Sequence, residues 1–188
     1  MALLVLDRDG VINQDSDNYV RSIDDWVPIP GSIEAIADLS RAGFRVAIAT
    51  NQSGLSRGYF GLNDLEAIHD RMCRLVEEHG GSIAGVFYCP HLPDEACKCR
   101  KPATGLLHAI ETELGESVAG CYFIGDSLKD LQAGRAMNCL PALVLTGKGK
   151  KTEAQLSSPE VALSDPGSVP IYEDLAAASR AIIGSEPA

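Results

Sequence analysis

The sequence has neither a long hydrophobic run nor an excess of positive charge. Its first apolar run, residues 3–6, ends at Asp7, far short of a signal peptide's apolar region or a membrane span. The 188 residues contain 16 Lys and Arg against 26 Asp and Glu, which gives a net charge of −10 at pH 7. Nucleic acids and anionic membranes select basic surfaces. We therefore expect a cytoplasmic protein that binds neither.

Internal repeats and low-complexity tracts are also absent from the sequence. A chain of 188 residues is long enough for one well-cored domain and too short for two ordinary ones. Apolar residues make up 45% of the chain and charged residues 22%, which is the profile of a soluble globular protein. We predict one domain over residues 1–188.

Short apolar runs alternate with helical patterns along the chain. The runs cover residues 3–6, 44–49, 83–88, 121–124 and 142–145, and the helical patterns cover 32–42, 62–79, 105–114, 128–137 and 172–183. Runs of this length, rich in Val, Ile, Phe or Tyr, indicate strands. Their alternation with helices predicts an α/β fold, a three-layer, Rossmann-like parallel sheet with helices on both faces.

Two acidic residues, Asp7 and Asp9, come directly after the first predicted strand. Residues two apart in an extended strand leave on the same side, so both carboxylates can point to one place beyond the strand end. They would repel each other there unless a cation were bound, and Mg²⁺ prefers oxygen ligands. Taken alone, the pattern also fits a strand followed by a solvated acidic turn.

Chemically capable side chains also follow the other predicted strands, where ligands of parallel sheets bind. These are Thr50, Asn51, Gln52 and Ser53 after the second, Arg100 and Lys101 beyond the third, and Asp126 after the fourth. We expect them to meet in one catalytic site. Thr50 and Lys101 would contact phosphate, Asp126 would be a metal ligand, and Asp130 would orient its neighbours from behind.

Three cysteines and one histidine lie within eleven residues, at Cys89, His91, Cys97 and Cys99. In a cytosolic protein this clustering favours a metal over disulfides. Four sulfur and nitrogen ligands form the closed tetrahedral set of a structural Zn²⁺ site. We predict a zinc-binding loop that also fixes Arg100 and Lys101, the two residues after Cys99.

Several other residues are given no functional role. Cys73, Cys121 and Cys139 are predicted to be buried thiols, His69 to be surface or core filler, and Lys148, Lys150 and Lys151 to lie in a solvated turn.

Four segments resemble, in order, the motifs of haloacid-dehalogenase (HAD)-type phosphatases. They are residues 6–13 (LDRDGVIN), 50–54 (TNQSG), 99–102 (CRKP) and 125–127 (GDS). The second segment and the Cys/His loop are similar to the branch that contains heptose-bisphosphate and histidinol-phosphate phosphatases. The resemblance spans residues 3–147, and it differs from some relatives at Ser127, where we would expect a lysine.

The resemblance implies an aspartyl-phosphate mechanism. Asp7 would be the nucleophile, and Asp9 would protonate the leaving oxygen and then activate water. Mg²⁺ would be held by Asp7, the backbone carbonyl of Asp9, and Asp126. Thr50 and Lys101 would stabilise the phosphoryl group, and Arg100 would recognise substrate.

The intervals between the motifs leave no room for a large cap domain, so we expect an open site. Specificity would come from residues 15–19, Arg57 and the zinc loop with Arg100; the predicted substrate contacts are Asp15, Tyr19, Asn51, Gln52, Ser53, Arg57 and Arg100. An open site suits a phosphorylated sugar. We also expect the protein to be a monomer. Heptose bisphosphate is the first choice and histidinol phosphate the second, and an inactive, zinc-stabilised binding protein is the alternative from another class.

Overall fold

Six parallel strands form one sheet in the computed structural model, which describes residues 2–185. The strands are β1 (Ala2–Leu6), β2 (Phe44–Asn51), β3 (Gly85–Cys89), β4 (Tyr122–Gly125), β5 (Leu140–Val144) and β6 (Ile171–Tyr172). Their order is β3-β2-β1-β4-β5-β6, so the strand order reverses beside β1. Parallel sheets bind ligands beyond the strand ends at such a reversal. Met1 and residues 186–188, which the predicted domain includes, lie outside the described residues.

Helices cover both faces of the sheet. They are α1 (Ser32–Arg41), α2 (Leu62–Glu78), α3 (Gly105–Leu114), α4 (Leu128–Ala136), α5 (Gly149–Leu156) and α6 (Leu175–Ser185). Leu4 and Leu6 of β1 pack with α1, α2 and α6, whereas Leu3 and Val5 pack with α3 and α4 on the other side. Alternate side chains of a strand leave on opposite faces, so the central strand is buried on both. The predicted three-layer fold is confirmed.

Two elements depart from the sequence-based prediction. Helix α5 occupies residues predicted to be a lysine-rich turn, and only Gly149 and Thr152 of it are buried. It has too few apolar residues for a helical period to show in the sequence. Strand β6 has two residues, one of which was assigned to the last helix, and it forms by pairing with β5 at the sheet edge.

The segments between the elements are loops without a separate cap domain in the described chain, as predicted. Residues 7–31, between β1 and α1, hold only isolated bridges, Asp9 with Asn13 and Asn13 with Pro28. The cleft over the carboxyl ends of the central strands is therefore bordered by loops and by residues of α4 and α5, with no added cap domain in residues 2–185. None of the helices within residues 2–185 is both long enough and apolar enough to cross a membrane.

Candidate active site

Three carboxylates meet where the strand order reverses. Asp7 follows β1, Asp126 follows β4, and Asp130 lies in the first turn of α4. One carboxylate oxygen from each lies within 4.8 Å of the others, and all three residues are buried. The meeting of Asp7 and Asp126 was expected, because β1 and β4 are paired neighbours whose carboxyl ends lie together.

Lys101 supplies the positive charge beside these acids. Its Nζ lies 2.8 Å from Asp7 Oδ1 and 2.6 Å from Asp130 Oδ1, and it donates a 2.7 Å hydrogen bond to the carbonyl of Ala49. Only 2% of the side chain is exposed. Burial acts to lower the pKa of Lys101, but Asp130 and Asp7 together raise it above its ordinary value. The lysine is therefore a fixed cation in the site.

Asn51 holds the backbone of Lys101. Its Nδ2 donates to the Lys101 carbonyl at 3.2 Å, and its Oδ1 accepts from the Lys101 N–H at 3.0 Å. Asn51 was predicted to bind substrate. Its side-chain amide is instead committed to positioning Lys101, although Asn51 does line the cleft.

One buried lysine does not neutralise three carboxylates. Burial and then Asp130 raise the pKa of Asp7 above its ordinary value, although Lys101 lowers it. Burial and then Asp130 also raise the pKa of Asp126, to about 7. Crowded carboxylates of this kind favour a bound cation, because proximity of like charges penalises the ionised form.

In Asp7 and in Asp126, one carboxylate oxygen contacts the protein and the other is free in the described chain. Asp7 Oδ1 accepts from the Arg8 N–H at 2.8 Å, and Asp126 Oδ2 accepts from the Lys148 N–H at 2.8 Å. Within residues 2–185 the second oxygen of each accepts no hydrogen bond. Asp130 instead uses Oδ1 for Lys101 and Oδ2 for Ser127. The donor set fits Mg²⁺ between Asp7 and Asp126, and Asp130 lies beside them with both oxygens in contact with the protein.

Asp9 lies in a network of donors that the sequence did not reveal. Fully buried Arg8 donates to Asp9 Oδ1 from Nε at 3.1 Å and from Nη2 at 2.9 Å. Asn13 and Gln52 add hydrogen bonds of 2.9 and 2.8 Å. Burial acts to raise the pKa of Asp9, but Arg8, Asn13 and Gln52 lower it below its ordinary value. Asp9 is held as an ionised carboxylate.

Arg8 is anchored in turn by His69 of α2, at 3.1 Å between Nη1 and Nε2. Burial and the Arg8 charge lower the pKa of His69 to about 3. The imidazole is therefore neutral and accepts the hydrogen bond. His69, predicted to be surface or core filler, is partly buried and fixes Arg8.

Gln52 and Thr50 complete the floor of the site, which is formed around the carboxylates of Asp7, Asp9, Asp126 and Asp130. Gln52 Nε2 donates to Thr50 Oγ1 at 2.9 Å as well as to Asp9. Gln52 was predicted as a substrate contact, and its amide is instead used to join Asp9 to Thr50. Since Thr50 Oγ1 accepts this bond, its hydroxyl proton is free to donate to a phosphoryl oxygen.

The loop between β5 and α5 closes over Asp126. Thr146 Oγ1 donates to the Gly10 carbonyl at 2.6 Å, and Thr152 Oγ1 donates to the Asp126 carbonyl at 2.8 Å. The Thr152 hydroxyl and the Lys148 N–H thus fix Asp126, while Thr146 ties this loop to Gly10. Lys148 is exposed and lies in a turn, as predicted, but it also lines the cleft, and the predicted turn at Lys150 and Lys151 is helix α5.

A cleft of about 610 Å³ lies over these residues. Its lining includes the predicted residues Asp7, Asp9, Asp15, Tyr19, Thr50, Asn51, Gln52, Ser53, Arg100, Lys101, Asp126 and Asp130, together with Lys129, Lys148 and Lys151. Arg57, also predicted to contact substrate, is exposed and is not among the lining residues. Tyr19 packs on Tyr59 with ring centroids 5.1 Å apart.

The Cys/His loop forms the second metal-ligating cluster. The donor atoms of Cys89, His91, Cys97 and Cys99 all lie within 4.8 Å of one another, and five of the six separations are between 3.1 and 3.7 Å. Burial of the Cys97 thiol opposes ionisation, but hydrogen bonds, first that from the Arg100 N–H, lower its pKa to about 7. A compact group of thiols and imidazole fits tetrahedral Zn²⁺.

The Cys/His loop contacts Arg100 more directly than Lys101. The Arg100 N–H donates to Cys97 Sγ and its Nη1 donates to the His91 carbonyl, both at 3.3 Å. The remaining cysteines differ from prediction in burial, since Cys139 is buried but Cys73 and Cys121 are only partly so. Cys121 lies in the loop just before β4, and Cys73 lies on α2 beside the exposed Arg74.

Comparison with known proteins identifies relatives along almost the whole chain. A D-glycero-β-D-manno-heptose-1,7-bisphosphate 7-phosphatase of Pseudomonas aeruginosa is 52% identical over 182 residues, 97% of this chain and 98% of the relative. The enzyme of the same name from Escherichia coli is 38% identical over 160 residues, 81% of this chain and 83% of its own. Residues 98–168 match the HAD-hydrolase-like family model.

The chain belongs to the D-glycero-β-D-manno-heptose-1,7-bisphosphate 7-phosphatase family. The crystal structure of the D,D-heptose 1,7-bisphosphate phosphatase from B. bronchiseptica, complexed with magnesium and phosphate, superimposes with a TM-score of 0.90. It is 46% identical and covers 99% of this chain and 100% of its own. The resemblance to HAD-type phosphatases is confirmed, and the chain is a phosphoric monoester hydrolase of this family.

We predict that Gly147→Ala lowers kcat at least about tenfold, because the displaced groups form the catalytic floor. Gly147 has φ +54°, and a Cβ there would overlap the Asp126 carboxylate and the Gly10 backbone. Steady-state kinetics at several Mg²⁺ concentrations measure the effect. Gly120→Ala is the matched control, since Gly120 has φ +79° with nothing near its Cβ position. Equal activity losses in both variants would contradict the assignment.

We also predict that the Cys97→Ser/Cys99→Ser variant loses zinc and raises KM more than it lowers kcat. The loop holds Arg100, whereas Asn51 and Ala49 hold Lys101 independently. Metal content by mass spectrometry, thermal unfolding and kinetics are the measurements. Cys73→Ser, outside the cluster, should retain zinc. Unchanged KM in a verified zinc-free protein would show that the loop does not position Arg100.

Proposed function

We propose that this chain removes the C7 phosphate of D-glycero-β-D-manno-heptose 1,7-bisphosphate in a Mg²⁺-dependent reaction. The observation that carries the chemistry is the buried Lys101 ammonium beside Asp7, whose second oxygen is free. The shared name of relatives that match 97% of the chain supports the substrate. The product would be a precursor of the lipopolysaccharide core.

In the proposed reaction the free oxygen of Asp7 attacks phosphorus and forms an aspartyl-phosphate. The sugar oxygen leaves with a proton delivered by Asp9, which then takes a proton from the water that hydrolyses the intermediate. Proton delivery requires Asp9 to be protonated, so substrate binding must weaken the Arg8 fork that keeps it ionised. Asp7 is regenerated when the water oxygen displaces it from phosphorus.

The surrounding groups stabilise charge and geometry. Lys101 neutralises oxygens of the transferring group, and the Thr50 hydroxyl donates to one of them. Mg²⁺, held by Asp7, Asp126 and the backbone carbonyl of Asp9, supplies charge neutralisation for the phosphoryl group when bound. Phosphoryl transfer depends mainly on such positioning and electrostatics. A structural Zn²⁺ in the Cys/His loop would hold Arg100 at the rim of the cleft, its solvent-exposed border.

The proposal also concerns the class of substrate, the cellular location and the oligomeric state. The partner is a small phosphorylated sugar, and the protein acts as a cytoplasmic monomer. The open cleft and the absence of a cap domain in residues 2–185 support a substrate that extends beyond its reacting phosphate.

We expect phosphate release from heptose 1,7-bisphosphate with Mg²⁺ and none with EDTA. The value of kcat/KM should exceed that for histidinol phosphate by about a hundredfold or more, since a site built for sugar hydroxyls leaves polar groups unpaired with the wrong ligand. Both anomers of the bisphosphate should be tested by a phosphate-release assay. A preference for histidinol phosphate would overturn the substrate, and inactivity on all phosphate esters would overturn the enzyme.

Asp7→Asn should lower turnover by about a thousandfold or more, because an amide does not attack phosphorus. The fold should be retained, since the change removes one of three crowded carboxylates while Lys101 keeps its contact with Asp130. Kinetics and thermal unfolding measure the two effects. Asp70→Asn, at an exposed position of α2 that does not line the cleft, is the control. Near-normal turnover in Asp7→Asn would refute the nucleophile's role.

A further inference from the structure

Two lysines form a second cationic position at the β5–α5 corner of the cleft. Lys148 precedes α5 as its N-cap, and Lys151 lies three residues further along. Residues three apart lie on the same face of a helix, and both lysines line the cleft. Lys150, between them, is exposed and lines neither this cleft nor the groove beside it. Lys148 and Lys151 therefore face the cleft, whereas Lys150 faces solvent.

Lys148 already binds an anion of the protein itself. Its Nζ lies 3.2 Å from Asp15 Oδ2, in the loop that follows β1. The two side chains are 59% and 22% exposed, and ion pairs in contact with water contribute little to stability. A phosphate, with higher charge and three acceptor oxygens, can therefore replace the Asp15 carboxylate on Lys148 at small cost.

The pair also lies at a boundary between two cavities. A groove of about 640 Å³ adjoins the cleft, and Asp15, Asp17, Lys148 and Lys151 line both. Displacing Asp15 from Lys148 would leave space on either side of the lysine. A ligand that reaches from the catalytic floor to this boundary meets cations at both ends.

Electrostatics favours such a position for a bisphosphate, in addition to Arg100, which also lines the cleft. The floor carries four carboxylates, on Asp7, Asp9, Asp126 and Asp130, and the whole chain has a net charge of −10. Lys101 is already paired with two of these acids. A second phosphate that is not being cleaved needs positive charge of its own, away from the floor.

We propose that Lys148 and Lys151 bind the uncleaved phosphate of the bisphosphate substrate, in the place that the Asp15 carboxylate holds in the free protein. This inference rests on the proposed function. The lysines would select a bisphosphate over a monophosphate without touching the reacting atoms.

The test compares heptose 1,7-bisphosphate with heptose 7-phosphate, which lacks the second phosphate. The readout is the ratio of kcat/KM for the bisphosphate to kcat/KM for the monophosphate. The Lys148 N–H donates to Asp126, so a substitution at Lys148 that also shifts Asp126 affects both substrates. That effect cancels in this ratio. The variants are Lys148→Met, Lys151→Met, the double variant and Lys148→Arg, with Lys150→Met as the matched control.

Each single Met variant should lower the ratio about tenfold and the double variant further, as expected for loss of a charge-assisted phosphate contact. Lys148→Arg should keep the ratio within about twofold because the charge remains. Lys150→Met should leave it unchanged. Rising ionic strength should lower the wild-type ratio more than that of the double variant, because salt screens the lost interaction.

Two contrary results are distinguishable. If the double variant has the same ratio as Lys150→Met, or loses activity equally on both substrates, the inference is overturned while the proposed function stands. If the wild-type protein releases no phosphate from the bisphosphate, the proposed function is overturned, and the inference with it.

Discussion

The site depends on one buried cation, the ammonium of Lys101, held between Asp7 and Asp130. Three carboxylates at the end of two adjacent strands could not remain close and ionised without it, because burial and mutual repulsion both favour protonation. The cation arrives on a loop rather than on a strand, and Asn51 and the Ala49 carbonyl fix its position. The residues at the carboxyl end of β2 therefore position the loop that carries Lys101, in addition to facing the substrate.

A second constraint is how each carboxylate is divided between the protein and a ligand. Asp7 and Asp126 each give one oxygen to a backbone N–H and keep one free, whereas both oxygens of Asp130 are taken by Lys101 and Ser127. This division separates metal ligands from supporting residues without any difference in residue type.

The sequence predicts the floor of the site better than its supports. Asp7, Thr50 and Asp126 could be placed because strand runs are visible as apolar segments and parallel strands end at a common edge. Arg8 and Gln52 could not be given their roles, because their partners lie in other elements and a side chain's direction depends on packing. Helix α5 was missed because it buries only two residues and so shows no apolar period.

The floor and the rim of the site differ in how closely their charges are compensated. On the floor, Lys101 is 2% exposed, so every charge there must be compensated at short range and a single substitution disturbs several partners. At the rim, Lys148 is 59% exposed, so its ion pair is weak and exchangeable. A weak internal pair holds the loop after β1 when substrate is absent, and it does not compete strongly with a phosphate. Chemistry is thereby fixed in buried strand ends, while recognition remains in contacts that water already weakens.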